Sequence, residues 1–182
     1  MALIVPNKLI YLAHPRTASK ATCVTLGQID SAFTEPVHHR RLFDLEYERE
    51  GELVVTTVRH HADALVSWWK NHGQKNHGYG EDLDEFTRFL REFPDSEIWI
   101  KPSTNRLWDL HTPWCNAVMR YEDVQTELDW VLEKVGLLPM QLLRVNQTRG
   151  KDDWRNYYNA ERERIVADVY GDEMREFGYS FD

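Results

Sequence analysis

Between Ala13 and Val24 the chain reads His14-Pro-Arg-Thr-Ala-Ser-Lys-Ala-Thr-Cys23, with two cations, Arg16 and Lys20, and three hydroxyls, Thr17, Ser19 and Thr22. Residues of these types serve to hold an anion. The preceding run, Leu9 to Ala13, is short and apolar and reads as a buried strand. Pro15 stops it, because proline has no N–H for a ladder. Val24 and Leu26 then resume an apolar pattern, now as a helix. The first N–H groups of a helix have no partner within it and carry the positive end of its dipole. Phosphate or sulfate binds there readily. The alternative is an ordinary polar turn. The loop is not of the Gly-x-x-x-x-Gly-Lys-Ser/Thr kind, since no glycine lies between Lys8 and Leu26.

Further chemistry-bearing residues follow other apolar runs. Leu53-Val-Val-Thr-Thr-Val58 is rich in β-branched residues and reads as a second buried strand, ending in Arg59-His60-His61. Asp63 to Asn71 has Leu65, Val66, Trp68 and Trp69 at helical spacing, and Ser67 lies among them. Cys115 to Tyr121 is a third strand, followed by Glu122 and Asp123, which suit a helix cap. Strands alternating with helices predict an α/β fold, a mainly parallel central sheet flanked by helices, in a single domain over residues 1–182. Ligands in such sheets sit beyond the carboxyl ends of the strands. Arg16, Arg59 and Tyr121 all lie just past strand ends and are expected to converge on one edge.

Other elements frame these. His72 to Gly80 carries three glycines and no apolar period, so it reads as an exposed loop. Asp82 or Asp84 is placed to cap a helix whose apolar face is Phe86, Phe89, Leu90 and Phe93, with Pro94 at its end. Leu128, Val131, Leu132 and Val135 mark a helix that stops at Gly136. Leu142 to Val145 suits a short extended segment. Asn146 to Asp153 is a polar loop containing Arg149, Gly150 and Lys151. Ala160 to Tyr170 is a last helix with Ile165, Val166 and Val169 inward.

The net charge of −8 on 182 residues argues against a basic nucleic-acid-binding surface. It leaves room for a local cationic pocket. Two cysteines, Cys23 and Cys115, sit in apolar settings and read as small buried hydrophobes of a reducing compartment. Their spacing fits no zinc motif, and no carboxylate or cysteine spacing joins the histidines into a metal site. No run has membrane-spanning length and Met1 to Lys8 is no signal peptide, so a cytoplasmic, non-membrane protein is expected.

Taken in order, several of these segments resemble the sulfotransferases that use 3′-phosphoadenosine-5′-phosphosulfate (PAPS). His14-Pro-Arg-Thr-Ala-Ser-Lys-Ala-Thr22 resembles that family's P-loop-like binding loop for the 5′-phosphosulfate. Val58-Arg-His-His-Ala-Asp-Ala-Leu-Val-Ser-Trp-Trp69 is similar to its 3′-phosphate motif, with Arg59 ending a strand and Ser67 on the next helix. Met119-Arg-Tyr-Glu-Asp-Val124, Gly136-Leu-Leu-Pro139, Asn146-Gln-Thr148, Asp153-Trp-Arg-Asn-Tyr-Tyr158 and Phe177-Gly-Tyr-Ser-Phe181 continue the resemblance over most of the chain. It departs from the family at Arg16, where many members have a catalytic Lys, and at Ala18, where a Gly is usual. Lys20 replaces a Thr, and Ala21 replaces an aromatic that stacks on adenine in some members.

The resemblance implies a sulfotransferase that moves a sulfuryl group from PAPS to an acceptor hydroxyl or amine, leaving the product PAP (adenosine 3′,5′-bisphosphate), without a metal. It implies that residues Arg16, Thr17, Ala18, Ser19, Lys20, Ala21 and Thr22 hold the 5′ end. Arg59 and Ser67 hold the 3′-phosphate, Tyr121 lies near the adenine, and Arg149, Gly150 and Lys151 close over the nucleotide. Arg16 and Lys20 are the candidate catalytic cations, with Lys20 the substitute for the usual Lys. The acceptor's proton needs a base, and histidine has a suitable pKa. His38 and His39 occupy the family's place for it, with His60, His61 and His14 in reserve. Trp99, Trp108 and Trp114 are candidates for an acceptor pocket. A glycan or small molecule is preferred over a protein as acceptor. A nucleotide-dependent kinase with Asp123 as its magnesium carboxylate, and a degenerate nucleotide binder without transfer, are the alternatives.

Overall fold

In the computed structural model, which describes residues 2–35, 47–95, 107–108, 112–145 and 152–181, five strands and five helices of eight residues or more follow one another. They are β1 (Ala2–Val5), β2 (Leu9–Leu12), α1 (Ser19–Leu26), β3 (Phe33–Glu35), β4 (Leu53–Val58), α2 (His61–Trp68), α3 (Leu83–Glu92), β5 (Ala117–Arg120), α4 (Val124–Lys134) and α5 (Ala160–Glu176). The chain divides into two compact units. One comprises Met1–Arg59 with Leu110–Gln147, the other His60–Asp109 with Thr148–Asp182.

The first unit is an α/β unit built on a sheet of order β3-β1-β2-β4-β5. The sheet is mixed, which corrects the expectation of a mainly parallel one. β2 pairs with β4 and β4 with β5 in parallel, but β1 is antiparallel to both β2 and β3. The reason is local. Val5 and Lys8 close a turn through Lys8 N–H to the Val5 carbonyl at 3.1 Å, with Pro6 and Asn7 (φ 60°) at its centre. Pro then a left-handed residue is a turn sequence. So short a connection can only reverse the chain, because a parallel neighbour needs a crossover of about a dozen residues.

Side chains alternate across the sheet. Leu3, Val5, Leu9, Tyr11, Val55 and Met119 face Cys23 and Leu26 of α1 and Leu128, Val131 and Leu132 of α4. Ala2, Ile4, Ile10, Leu12 and Val54 line the other face, with Tyr47 and Cys115 against them. Burial of this kind contributes roughly 1.5–3 kcal/mol per large apolar side chain. Both cysteines are free thiols that burial pushes up to about 12, so they remain protonated. Lys8 Nζ donates to the Val135 carbonyl at 3.0 Å and completes the C-terminal end of α4, past which Gly136 (φ 68°) turns the chain. Glu52 ties the β1–β2 turn down, accepting the Asn7 N–H at 3.0 Å and the Tyr47 hydroxyl at 2.5 Å. Residues 142–145 form no strand. That segment is held instead by Leu142 N–H to Gln125 Oε1 and Leu143 N–H to Thr25 Oγ1.

In the second unit α2 runs straight into a π-helical turn, Trp69–Gly73, and a last helical turn, Gln74–Asn76. The expected exposed loop therefore shrinks to the residues after Asn76. Gly73 is buried, and a Cβ there would meet Trp69 Cδ1 at 3.1 Å and Tyr79 Cδ2 at 3.3 Å. The ring packing needs glycine rather than a flexible tip. Asp82 caps α3, accepting the N–H groups of Asp84 and Glu85, and Phe86, Phe89 and Leu90 are buried. α5 extends past Tyr170 to Glu176, and its inward stripe is Arg162, Val166, Tyr170, Glu173 and Met174. Ile165 and Val169 lie beside that stripe, half-buried. Among the described residues, no helix is long and apolar enough to cross a membrane.

Candidate functional site

Among the described residues of the first unit, those just past β2 have the most unusual backbone. β2 ends at Leu12, and His14, Pro15 and Arg16 turn the chain toward α1. Thr17 is wholly buried, and its hydroxyl donates to the His14 carbonyl at 2.9 Å. On either side of it, Arg16 (φ 64°) and Ala18 (φ 57°) are both left-handed. A residue with a Cβ takes that conformation at a cost of about 1–2 kcal/mol. Ala18 stands where the resembled loop has a glycine, so the strain falls at the position of that departure. Such strain persists where the surroundings over-determine it, and it clusters at ligand clamps. The helix begins immediately afterwards. Thr22 N–H bonds to the Ala18 carbonyl at 3.0 Å. Ala18 supplies no side-chain cap, so the first N–H groups of α1 have no help from it.

Arg59 arrives from the end of β4. Its Nη1 donates to the Arg16 carbonyl at 2.9 Å, and its guanidinium lies 4.0 Å over the Tyr121 ring. Tyr121 opens the single 3₁₀ turn, Tyr121–Asp123, that follows β5. The parallel pairing of β2, β4 and β5 thus brings three strand ends, and with them Arg16, Arg59 and Tyr121, to one edge. Arg59 is only 7% exposed and Arg16 is half-buried. Partial burial, then the neighbouring positive charge of Arg59, lowers the pKa of Arg16. A stacked guanidinium held by a carbonyl is pre-organised, which favours bidentate recognition of a phosphate.

The other residues singled out in the sequence distribute as follows. Ser19 is half-buried and Lys20 exposed on the first turn of α1, while Ala21 and Thr22 are buried. Thr22 Oγ1 is 0% exposed and makes no hydrogen bond. Ser67 lies buried on α2 of the second unit, where its carbonyl accepts the Asn71 amide at 3.0 Å. His38, His39, Arg149, Gly150 and Lys151 lie outside the described residues, as does Trp99.

Two of the reserve histidines, His60 and His61, sit in packed surroundings. His60 stacks on Trp154 at 4.3 Å and its Nε2 contacts the Ser180 carbonyl at 2.7 Å. His61 is paired with Glu173 at 2.7 Å, wholly buried. Trp108 is also wholly buried, between His61 and Trp68, so it lines no open pocket. Trp114 is exposed. Asp123 makes no side-chain cap bond to α4, contrary to expectation. The carboxylate that reaches back is Glu127, which accepts the Arg120 N–H at 3.0 Å.

Two features of the edge escape a reading of the sequence. One is the left-handed pair around Thr17, since neither Arg nor Ala announces a positive φ. The other is the Arg59–Tyr121 stack, for which the placement of both residues at strand ends is the only signal. No family model, no curated protein and no solved structure matches this chain.

Proposed function

We propose that the protein is a sulfotransferase that takes its sulfuryl group from PAPS, and that the edge formed by residues 14–22, Arg59 and Tyr121 is its donor site. The observation that carries the reading is the pairing of Arg16 and Arg59. The Arg59 guanidinium bonds the Arg16 carbonyl beside an uncapped helix start, and burial, then the positive charge of Arg59, lowers the pKa of Arg16. An arrangement of this kind is relieved by a ligand with several negative charges, and PAPS has them at both ends.

In this reading Arg59 holds the 3′-phosphate, with its plane set by the Tyr121 ring. The N–H groups of Ser19 and Lys20, with Arg16, meet the 5′ end, where charge develops on the leaving phosphate as the S–O bond breaks. Arg16 stabilises that charge electrostatically but stays protonated. Lys20, exposed one helical turn later, is the group able to reach the same anion and give up a proton. The acceptor oxygen forms its bond to sulfur from the opposite side and loses its proton to His38 or His39. The acceptor is a glycan or small-molecule hydroxyl, or an amine.

A thermal-shift titration tests the reading. Adenosine 3′,5′-bisphosphate at a hundredfold excess over its Kd adds about 2.7 kcal/mol of stability. That corresponds to a rise in Tm of several degrees for a chain of this size. ATP with magnesium is expected to give a much smaller shift. A shift with ATP and magnesium alone favours a kinase-like protein, and no shift with either overturns nucleotide binding.

A further inference from the structure

At the end of the sheet opposite the Arg16–Arg59 edge, the first unit has a cleft of about 720 Å³. It opens where β2 and β4 begin, at Lys8 and Leu53, whereas Arg16 and Arg59 follow the far ends of the same parallel strands. Its volume lies within the roughly 300–1,000 Å³ of small-molecule sites. Such sites have mostly apolar walls, and this one does not. Among its lining residues only Leu53 and Val135 are apolar. A charged, hydroxylated ligand keeps its hydrogen bonds against walls of this kind.

Three cations reach the cleft from three segments. Lys8 comes from the β1–β2 turn, Arg49 from the chain before β4, and Lys134 from the end of α4. Lys8 is held in place, its Nζ donating to the Val135 carbonyl at 3.0 Å and to the Gly136 carbonyl at 3.4 Å. An ammonium has three donors, so one is left to offer. The Lys134 ammonium lies 5.1 Å from the centre of the Trp130 ring. Glu52 is the one carboxylate of the lining. Its oxygens already accept the N–H groups of Asn7 and Glu50 and the Tyr47 hydroxyl. Glu48 and Glu50 flank Arg49 in sequence but do not line the cleft. The result is a local surplus of positive charge in a chain of net charge −8. Asn116 adds neutral donors, because its Oδ1 accepts the Val54 N–H at 2.9 Å and its amide N–H groups remain. At Gly51 (φ 105°) the place of a Cβ is open space, which admits a ligand close to the backbone.

The geometry points to a second ligand site in this cleft, for a small polyol that carries two phosphate groups. A phosphate ester has about −1.5 to −2 charge at neutral pH and three acceptor oxygens. Two such groups balance three cations, where one leaves cations in surplus. The planar fork of Arg49 serves one phosphate, and the ammonium groups of Lys8 and Lys134 serve the other. The hydroxyls of the scaffold meet Asn116 and the backbone at Gly51. The site binds without making or breaking a bond, and it does not depend on the donor-site reading.

Calorimetric titration with fructose 1,6-bisphosphate tests it on wild type, Arg49→Ala, Lys134→Ala, Arg59→Ala and Arg175→Ala. Arg49 and Lys134 are exposed, so their replacement leaves the fold intact. Each is expected to weaken binding about tenfold, the lower end of what a hydrogen bond to a charged group contributes. Arg59→Ala, at the other end of the sheet, and Arg175→Ala, exposed in the second unit, are expected to stay within about twofold. Fructose 6-phosphate and citrate are expected to bind at least tenfold more weakly than the bisphosphate. A wild type that does not bind the bisphosphate at millimolar concentration overturns the inference. So do Arg49 and Lys134 variants that bind as wild type does. An equal loss in Arg175→Ala means attraction to overall charge, and a loss in Arg59→Ala alone moves the ligand to the donor edge; either result overturns it. Citrate or the monophosphate binding as tightly as the bisphosphate overturns the ligand class. The donor-site reading stands or falls separately, on adenosine 3′,5′-bisphosphate.

Discussion

Arg59→Ala is expected to lower the affinity for adenosine 3′,5′-bisphosphate by about 2–5 kcal/mol, the cost of removing one partner of a buried, hydrogen-bonded charge pair. The upper half of that range is the better expectation. Arg59 is held by the Arg16 carbonyl and the Tyr121 ring, so little of its binding free energy is lost in ordering the side chain. The same change also removes a bond to the loop, and the control separates the two effects. A nucleotide without the 3′-phosphate keeps nearly its full affinity if Arg59 serves that phosphate. It loses as much as the bisphosphate if Arg59 merely props the loop. Parallel titrations of the two ligands on wild type and variant read the difference directly.

The second large effect is on stability and belongs to the second unit. Glu173→Ala destabilises the protein by about 3–5 kcal/mol, the usual consequence of breaking a buried pair from one side. Glu173 accepts the His61 ring N–H at 2.7 Å, the Leu107 N–H at 2.5 Å and the Trp108 N–H at 2.9 Å. Alanine leaves two buried donors and one part-buried donor without their acceptor, and the buried ones are expensive to strand. It also opens the wall against which Trp108 packs on His61 and Trp68. Urea denaturation gives the free energy, and near-ultraviolet circular dichroism reports whether Trp108 keeps its fixed surroundings. A loss below about 1 kcal/mol, the worth of an ordinary surface pair, contradicts the assignment.

Much of the first unit is legible in the residues. Leu53–Val58 is a strand with the expected ends, and β2 falls one residue short of its expected end at Ala13. β-branched runs and Pro15 mark such boundaries without help from tertiary structure. The α4 stop at Gly136 and the Asp82 cap are similar cases, where one residue type carries the geometry.

What was not legible depends on contacts or on chain direction. β1 is an apolar run of four at the start of the chain, too short for periodicity to call, yet it turns a parallel sheet into a mixed one. The π-helical turn follows from ring packing around Gly73. Glu173 is one of several acidic residues on α5, and only its register with Val166 and Tyr170 buries it. At the candidate site the cations and hydroxyls are readable as types. The strained loop is not, because Ala18 conceals the sign of its φ. Nor is the Arg59–Tyr121 stack, which needs both strands in place.

On the proposed function, one edge of the first unit holds both phosphate ends of the nucleotide. A crystal structure of the protein with adenosine 3′,5′-bisphosphate tests it most directly. The 3′-phosphate is expected on the Arg59 guanidinium, and the 5′-phosphate on the N–H groups at the start of α1 with Arg16 and Lys20 turned toward it. Nucleotide bound elsewhere, or bound here with its phosphates away from Arg59 and from residues 16–20, contradicts it.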